Sequence, residues 1–436
     1  MTRLLYSLVM WLAQPLLRRK LRRRSVQEPG YRQAVAERFG IYADTAGPGG
    51  AGFIWVHAVS LGETRAAAVL IERLREHLPA MRLLLTHGTA TGRAEGARLL
   101  QAGDCQAWLP WDSNGAVQRF LDHFQPRIGI LMETEIWPNL VNACQRADVP
   151  LVLANARLNE KSLLWAKRLA WLARPAYRGL SAVWAQTHHD AARFAELGVE
   201  VKGIFGNLKF DATPDALQLA TGRAWRRQLG IPVVLLASSR VGEEAALLQI
   251  LASLRPAAIA GAKGATSPAN ELQWLIVPRH PQRFDEVAAL IKAHGFGVSR
   301  RSGWAGVAPA ANGSIWLGDS LGEMALYYGL ADIALLGGSF EPMGGQNLIE
   351  AAACGCPVLM GPHTFNFAEA AELAQEAGAA QRAATLQEAV AAALELACND
   401  AKLTLARQAA NAFASTQRGA SERLALGIEQ LLARRV

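Results

Sequence analysis

The chain has 436 residues, of which 51% are hydrophobic and 19% are charged, and this length predicts two domains rather than one. Its formal net charge is +8, but residues 1–24 hold seven basic side chains and no acidic one, so the remainder is close to neutral. Because the basicity is local, the sequence argues against a general nucleic-acid-binding surface. Five cysteines without a CxxC pair or a metal-ligand spacing indicate free thiols, and no metal or other cofactor is expected.

The first 24 residues are predicted to attach the protein to a membrane. Residues 4–17 are mostly apolar, and the basic cluster follows at 18–24. The apolar run is shorter than the roughly 20 residues that span a bilayer, and no signal-peptide cleavage site follows it. An interfacial helix on an anionic lipid surface fits this pattern better. The alternative is an ordinary helix whose apolar side packs on the domain.

Residues 25–211 are predicted to form a first α/β domain, because apolar strands alternate with helices. Strands are expected at 53–57, 82–86, 128–132, 151–154 and 182–185, with a helix at 62–78. This alternation predicts a parallel sheet with helices on both faces, which binds ligands beyond the carboxyl ends of its strands. Two loops at that edge are acidic: Glu63 follows the first strand, and Glu133 and Glu135 follow another.

Glu63 lies in the first turn of its predicted helix, where the helix dipole favours a carboxylate that can accept a proton. For Glu63 alone, an ordinary N-terminal helix acid is the alternative. The second acidic loop favours a catalytic site, since an acid directly after a buried strand has little structural purpose. One of Glu133 and Glu135 is expected to face the cleft, while the other binds backbone or Arg157.

Residues 212–436 are predicted to form a second domain of the same kind, whose last helix can also cross back to the first domain. The segment 206–211 is interpreted as the linker. Strands are expected at 233–237, 274–277, 315–317, 333–336 and 357–360, and a Gly/Ala/Ser-rich surface loop at 261–270. The loop Arg240-Val241-Gly242-Glu243 echoes Ser60-Leu61-Gly62-Glu63, each after the first strand of its domain.

The second domain is predicted to bind a nucleotide, because four consecutive strand–helix loops carry Arg240, Arg279, Glu323 and Glu350 at one sheet edge. The last of these loops is rich in glycine, which lets the backbone approach a ligand closely. It leads into a helix at 347–353, whose N-terminus suits a phosphate, and Glu350 can accept hydrogen bonds from a ribose diol. For the glycines alone, a tight strand–loop–helix turn is an equally good interpretation.

Seven segments in both predicted domains resemble the 3-deoxy-D-manno-octulosonic acid (Kdo) transferases of Gram-negative lipopolysaccharide biosynthesis. They are HAVSLGE at 57–63, METEIWPN at 132–139, GNLKFD at 206–211, VPRHPQRF at 277–284, GDSLGEM at 318–324, GGQNLIEAA at 344–352 and GPHTFNF at 361–367. The resemblance implies a GT-B fold: two Rossmann-like domains facing a cleft, the first for the acceptor and the second for the nucleotide sugar. It implies CMP-Kdo as donor and lipid IVA as acceptor, at the cytoplasmic face of the bacterial inner membrane.

The resemblance also implies which residues act. The catalytic base of an inverting reaction falls on Glu63, and the positions that stabilise the transition state fall on Glu133 and Lys209. Arg240 is expected to offset charge on the donor. The CMP-binding positions fall on Pro278, Arg279, Leu321, Gly322, Glu323, Asn347, Leu348, Ile349 and Glu350. Some members have histidine where this chain has Gln346, which affects only the fine contacts there.

Two other functions stay open at this point. One is a GT-B transferase that uses a different nucleotide sugar on a lipid, and the other is a non-catalytic scaffold that binds a sugar nucleotide or a lipid. The acidic residues Glu63 and Glu133 count against the scaffold. A nicotinamide-dependent dehydrogenase is disfavoured, because the loop after the first strand lacks GxGxxG.

Overall fold

The computed structural model describes residues 2–43, 52–254, 272–311 and 313–434. The predicted surface loop at 261–270 lies outside these described residues. The chain divides into two compact units. The first unit comprises Met1–Ala212 together with Gln417–Val436, and the second unit comprises Thr213–Thr416.

The first unit is built on a parallel sheet of seven strands. They are β1 (Ile54–His57), β2 (Leu83–His87), β3 (Cys105–Trp108), β4 (Ile128–Met132), β5 (Leu151–Ala156), β6 (Ala182–Ala185) and β7 (Gly203–Ile204). Their order across the sheet is β3-β2-β1-β4-β5-β6-β7, and every pairing is parallel. The sequence predicted five of these strands, while β3 and β7 at the two edges were not predicted.

Helices of the first unit cover both faces of the sheet, and two further helices precede the first strand at the N-terminus. Those that precede the second unit in the chain are α1 (Thr2–Leu12), α2 (Gln14–Gln27), α3 (Leu61–His77), α4 (Ala90–Gly96), α5 (Asn114–Phe124), α6 (Pro138–Arg146), α7 (Glu160–Arg168), α8 (Ala170–Arg178) and α9 (His188–Glu196). Trp55 of β1 packs with Phe120 of α5 on one face, whereas its neighbour Val56 packs with Leu70 of α3 on the other. Both faces are therefore buried, which explains why the central strands are continuous apolar runs.

The second unit repeats this architecture. Its strands are β8 (Val233–Ser239), β9 (Gln273–Pro278), β10 (Val298–Arg300), β11 (Ile315–Leu317), β12 (Ile333–Leu336), β13 (Val358–Met360) and β14 (Ala380–Arg382). They form a second parallel sheet in the order β10-β11-β9-β8-β12-β13-β14. Its helices are α10 (Ala216–Gln228), α11 (Glu243–Ser253), α12 (Phe284–Ala293), α13 (Met324–Leu330), α14 (Leu348–Ala353), α15 (Ala368–Glu376), α16 (Leu386–Ala397) and α17 (Asp400–Thr416).

The segment 206–211 is a packed part of the first unit rather than a free linker. Leu208–Asp211 form a short 3-10 helix in which Leu208 and Phe210 are buried. The carboxylate of Asp211 accepts hydrogen bonds from the backbone N–H groups of Gly419 (2.7 Å) and Ser421 (2.6 Å). These two groups begin α18 (Ala420–Ala433), which packs on α3. The last helix thus lies in the first unit.

Candidate active site

The carboxylate of Glu63 is held in a fixed position at the start of α3. Ser60 is the N-cap of this helix and accepts a hydrogen bond from the backbone N–H of Glu63 at 3.3 Å. In return, Glu63 Oε1 accepts from the Ser60 hydroxyl at 2.8 Å, and Oε2 accepts from the backbone N–H of Val59 at 2.9 Å. This arrangement resembles a capping box, except that Glu63 binds the backbone N–H of the residue before the N-cap, and it explains the serine–glutamate spacing of the HAVSLGE segment.

Burial raises the pKa of Glu63, although the hydrogen bonds from Val59 and Ser60 oppose the rise. The charge of Glu133 contributes to the same upward shift, so these two carboxylates lie within electrostatic range of each other. A carboxylate with a raised pKa is a stronger base than an exposed one, which suits the removal of a proton from a hydroxyl group.

Glu133 and Lys209 form an ion pair, with Lys209 Nζ 3.7 Å from Glu133 Oε1. Glu133 follows β4 directly and has φ +58°, in the left-handed region that non-glycine residues adopt rarely. Its backbone is fixed on both sides, since its N–H donates to Ala154 and its carbonyl oxygen accepts from the N–H of Arg157 at 3.2 Å. The contact between Glu133 and Arg157 is thus one between backbone atoms.

Glu135 is the third acidic residue of this group. Burial, followed by the charge of Glu63, raises the pKa of Glu135 to about 7. Near neutral pH this carboxyl group therefore exchanges its proton readily. The structure brings Glu63, Glu133, Glu135 and Lys209 into one electrostatic cluster.

The position of Lys209 depends on two asparagines that the sequence analysis did not single out. Asn155 is buried at the end of β5, and its Oδ1 accepts from the backbone N–H of Leu208 at 3.0 Å. Asn207 Oδ1 accepts from the backbone N–H of Lys209, also at 3.0 Å. Like Glu133, Asn155 has a positive φ of +52° at the end of a strand. The signal available in the sequence was an asparagine within the otherwise apolar run of residues 151–156.

In the second unit, the side chains of Arg240 and Arg279 each form a hydrogen bond with a polar side chain of a neighbouring loop. Arg240 donates to Nε2 of His280 at 2.7 Å, and Arg279 Nε donates to Oε1 of Gln346 at 3.2 Å. Gln346 in turn lies next to Gly338, where an added Cβ would be 3.1 Å from its Nε2. The loops after β8, β9 and β12 therefore meet, and they form a cationic group at the carboxyl edge of the sheet.

The buried side chain of Glu243 connects the loops after β8 and β12 through hydrogen bonds. Its buried carboxylate accepts hydrogen bonds from the backbone N–H groups of Arg240 (2.8 Å), Gly338 (2.8 Å) and Phe340 (3.3 Å). Burial raises the pKa of Glu243, and these three hydrogen bonds oppose the rise. With three backbone partners the carboxylate has a structural role, so the resemblance between the loops at Glu63 and Glu243 is one of position rather than of chemistry.

The loop Leu321–Glu323 follows β11 at the same edge. Glu323 accepts from Arg301 at 2.8 Å and also contacts the hydroxyl of Ser320. Gly322 has φ +77°, and its carbonyl oxygen accepts from Gln218 Nε2 at 3.0 Å. Leu321 is largely exposed. The carboxylate of Glu323 is thus already oriented by its neighbours, while the backbone around Gly322 is open on one side.

The loop before α14 carries the last predicted nucleotide-binding residues. Asn347 is the N-cap of α14 and accepts from the backbone N–H of Ile349 at 3.1 Å. Leu348 and Ile349 are buried, whereas Glu350 is exposed in the first turn. Pro278, at the end of β9, is buried too. Of this group, Asn347 and Glu350 therefore offer polar side-chain atoms, and the buried members shape the loop.

The GPHTFNF segment supports the glycine-rich loop after β12. Asn366 donates from its backbone to the carbonyl oxygen of Gly344 and from its side chain to that of Met343, both at 3.0 Å. Gly344 has φ +87°, and a Cβ there would lie 2.5 Å from Asn366 Nδ2, so only glycine fits. This segment therefore positions the loop.

Helix α1 contacts the first unit through polar atoms of Tyr6 and Ser7, and five of its apolar side chains are exposed. The Ser7 hydroxyl donates to Oδ1 of Asn139 at 3.0 Å, and Tyr6 hydrogen-bonds the buried carboxylate of Asp112. Asp112 also accepts from the backbone N–H groups of Asn139 and Leu140 at 2.9 and 2.8 Å. The exposed side chains of α1 are Leu5, Leu8, Val9, Trp11 and Leu12. These five side chains are exposed, whereas the alternative considered above would have them packed on the domain.

Two features of the described residues bear on metals and membranes. No cluster of three or more histidine, cysteine, aspartate or glutamate side chains suited to a metal ion occurs among them. None of the helices in this part of the chain combines the length and the apolar character needed to cross a membrane.

Solved structures share the overall fold. A glycosyltransferase from Rickettsia africae ESF-5 has a TM-score of 0.55 at 12% sequence identity, covering 88% of this chain and 100% of its own. The Anabaena protein HepE, solved in complex with UDP, has a TM-score of 0.54 at 15% identity, with 88% and 100% coverage. At such low identity the likeness concerns the fold alone. Two seven-stranded parallel α/β units with these neighbours confirm the predicted class, the GT-B fold.

Proteins related in sequence identify the family within this fold class. The family model described as 3-Deoxy-D-manno-octulosonic-acid transferase (kdotransferase) matches residues 33–212. The 3-deoxy-D-manno-octulosonic acid transferase of Bordetella pertussis is 46% identical over 384 residues, covering 87% of each chain. That of Haemophilus influenzae is 35% identical over 375 residues, covering 85% of this chain and 84% of its own. The chain is a glycosyltransferase, and it belongs to the 3-deoxy-D-manno-octulosonic acid (Kdo) transferase family.

Proposed function

We propose that this Kdo transferase moves Kdo from CMP-Kdo to lipid IVA in lipopolysaccharide biosynthesis, with Glu63 as the general base. The observation that carries the proposal is the Glu63 carboxylate, which Val59 and Ser60 hold at the start of α3 beside the Glu133–Lys209 pair. A hydroxyl group attacks a hindered ketosidic carbon only when a base can take its proton, and a fixed carboxylate with a raised pKa provides that base.

In the proposed reaction, Glu63 accepts the proton of the 6′-hydroxyl group of lipid IVA. The hydroxyl oxygen forms a bond to the anomeric carbon of Kdo while the bond from that carbon to the CMP phosphate oxygen breaks, and the configuration inverts. Lys209 and Glu133 provide fixed charges that stabilise the transition state. Lys209, Arg240 and Arg279 offset the carboxylate and phosphate charges of the donor, a role that a metal ion has in other transferases.

The proposed CMP site lies at the carboxyl edge of the second sheet. Arg240 and Arg279 are proposed to bind the phosphate, and the hydrogen bonds that connect their loops at this sheet edge support this assignment. Glu350, exposed in the first turn of α14, accepts from the ribose hydroxyls. The remaining proposed contacts come from Pro278, Leu321, Gly322, Glu323, Asn347, Leu348 and Ile349. Calorimetry should show CMP binding more tightly than UMP, whereas equal or absent binding of CMP would exclude the cytidine assignment.

We also propose that residues 1–24 hold the enzyme on the cytoplasmic face of the inner membrane. The exposed apolar side chains of α1 and the basic residues of α2 support this, since lipid tails take up the former and anionic headgroups the latter. Deletion of residues 1–24 should move the protein to the soluble fraction with CMP binding intact. If the shortened protein still sediments completely with washed membranes, the attachment lies elsewhere.

The reaction itself is tested by product analysis. Membranes containing the protein are incubated with lipid IVA and CMP-Kdo, and the mass of the lipid product is measured by mass spectrometry. The proposal predicts a lipid heavier by one or more Kdo units, and the mass gives their number. A gain that requires a UDP-sugar instead of CMP-Kdo would identify a different donor.

A further inference from the structure

The junction of α7 and α8 exposes a group of large apolar side chains. Leu164, Trp165, Leu169 and Trp171, here called the α7–α8 corner, have exposed fractions of 58%, 55%, 43% and 45%. Single exposed apolar residues are common on soluble proteins, but four large ones within eight residues form a patch. Neither the family match nor the proposed chemistry gives these side chains a role.

The corner lies in the same part of the first unit as α1, because α1 contacts both α6 and α8. Helix α1 is fixed there by Ser7 on Asn139 and by Tyr6 on Asp112, so its polar side faces the protein. Two neighbouring elements of the first unit therefore expose apolar side chains that the described residues leave uncovered.

The charge around the corner is mostly positive. Residues 160–178 contain five basic side chains and one acidic one. The guanidinium group of Arg168 lies 5.4 Å from the centroid of the Trp165 ring, whereas Lys167 is paired with Glu196. Tryptophan beside exposed arginine and lysine is the composition of protein surfaces at the membrane–water interface, where rings enter the headgroup layer and cations meet anionic lipids.

We propose that the α7–α8 corner enters an anionic bilayer surface as a second contact, next to α1. The proposal rests on the membrane attachment suggested for residues 1–24 and deepens it. A single helix would tether the first unit, whereas two contacts that are fixed to the same unit also set its orientation on the membrane. The second contact raises the affinity because it forms at a high effective concentration once the first has bound.

The first measurement compares binding of full-length variants to vesicles. A Trp165→Ser/Trp171→Ser variant should bind vesicles of phosphatidylethanolamine and phosphatidylglycerol about 10-fold more weakly or worse, since it loses two apolar anchors. Binding of either protein to phosphatidylcholine vesicles should be weaker than to anionic ones. The matched control is Leu217→Ser/Leu405→Ser, because these leucines are 78% and 65% exposed in the second unit and should not affect binding.

The second measurement uses tryptophan fluorescence with brominated lipids, which quench rings that enter the bilayer. Trp165→Phe/Trp171→Phe should bind vesicles nearly as well as the wild type but show less quenching. Circular dichroism and CMP binding verify that each variant is folded. Unchanged quenching in the phenylalanine variant would place the two rings outside the bilayer and overturn the proposal.

The remaining outcomes separate this proposal from the attachment on which it rests. If Leu8→Ser/Trp11→Ser loses binding while the corner variant binds like the wild type, α1 is the contact and the corner is not. If both variants bind like the wild type, the attachment through residues 1–24 fails as well. If the corner variant changes only the sedimentation coefficient, a second copy covers the corner. If it raises only the KM for detergent-dispersed acceptor, the corner holds acyl chains of the substrate.

Discussion

Glu63 and Glu243 follow the first strand of their respective units, but their surroundings differ. These surroundings indicate a structural role for Glu243 and leave Glu63 as the candidate for catalysis. Glu243 is buried, and its carboxylate accepts hydrogen bonds from three backbone donors of the surrounding loops. Glu63 has one backbone donor and one hydroxyl donor, and it remains partly exposed. The sequence predicted both positions, but only the structure shows which acid is committed to backbone contacts.

Glu135 should make the stability of the enzyme depend on pH. Burial and the charge of Glu63 raise the pKa of Glu135 from 4.5 to about 7, so between these values the folded state binds a proton that the unfolded state releases. The free energy of unfolding contributed by this group is then fully present below about pH 4.5 and is lost as the pH rises through about 7. Glu135→Gln should reduce the loss of stability between pH 5 and 8 by about 1–3 kcal/mol, measured by urea unfolding.

The control for this measurement is Glu72→Gln, at an exposed position of α3. It removes one carboxylate from the surface of the same unit, so it corrects the comparison for the loss of one negative charge. A profile that Glu135→Gln does not alter would contradict the buried, charge-coupled state of Glu135.

Glu350 should contribute to nucleotide affinity. Its replacement by alanine removes a charged acceptor for the ribose hydroxyls, which is expected to weaken CMP binding by about 1.5–3 kcal/mol. Isothermal calorimetry gives the difference directly, and Glu372→Ala on the exposed side of α15 is the control. CMP binding that is equal in Glu350→Ala and the wild type would remove Glu350 from the ribose site.

Among the elements, α1 is held by hydrogen bonds that the sequence pattern did not indicate. Tyr6→Phe removes the hydroxyl that binds the Asp112 carboxylate, so the amide hydrogens of α1 should exchange with solvent about 10-fold faster or more. Tyr42→Phe is the matched control, because the buried hydroxyl of Tyr42 has no hydrogen-bond partner among the described residues. Equal exchange of α1 in Tyr6→Phe and the wild type would show that this hydrogen bond does not hold the helix.

The sequence predicted the central strands to within one or two residues and missed those at the edges, for a physical reason. A strand buried on both faces, such as Ile128–Met132, must be apolar throughout, and that pattern is visible. By contrast, β7 has two residues and β10 has three half-buried ones, Val298–Arg300, which resemble a loop in composition. The left-handed backbone of Glu133 and Asn155 was also hidden, because it depends on tertiary contacts rather than on residue type.

For the whole molecule, the chain leaves the first unit after Ala212 and returns to it at Gln417. The sequence left open where the last helix packs, because its apolar positions fit either domain. Asp211 binds the start of α18, and Gly427 lies where a Cβ would be 2.8 Å from the Trp184 ring. Together with the burial of Leu424, Ile428 and Leu432 in the core of the first unit, these two contacts hold α18 there, and neither contact can be inferred from periodicity.

The most direct test of the account is the rate of Kdo transfer from CMP-Kdo to lipid IVA by Glu63→Gln. Glutamine keeps the shape and much of the hydrogen bonding but cannot accept the proton, so turnover should fall by about 10²–10⁴-fold. CMP affinity and folding should be unchanged, Glu133→Gln should also be impaired, and Glu135→Gln should be affected less. Transfer by Glu63→Gln at nearly the wild-type rate, together with an inactive Glu133→Gln, would contradict the account and assign the base to the loop after β4.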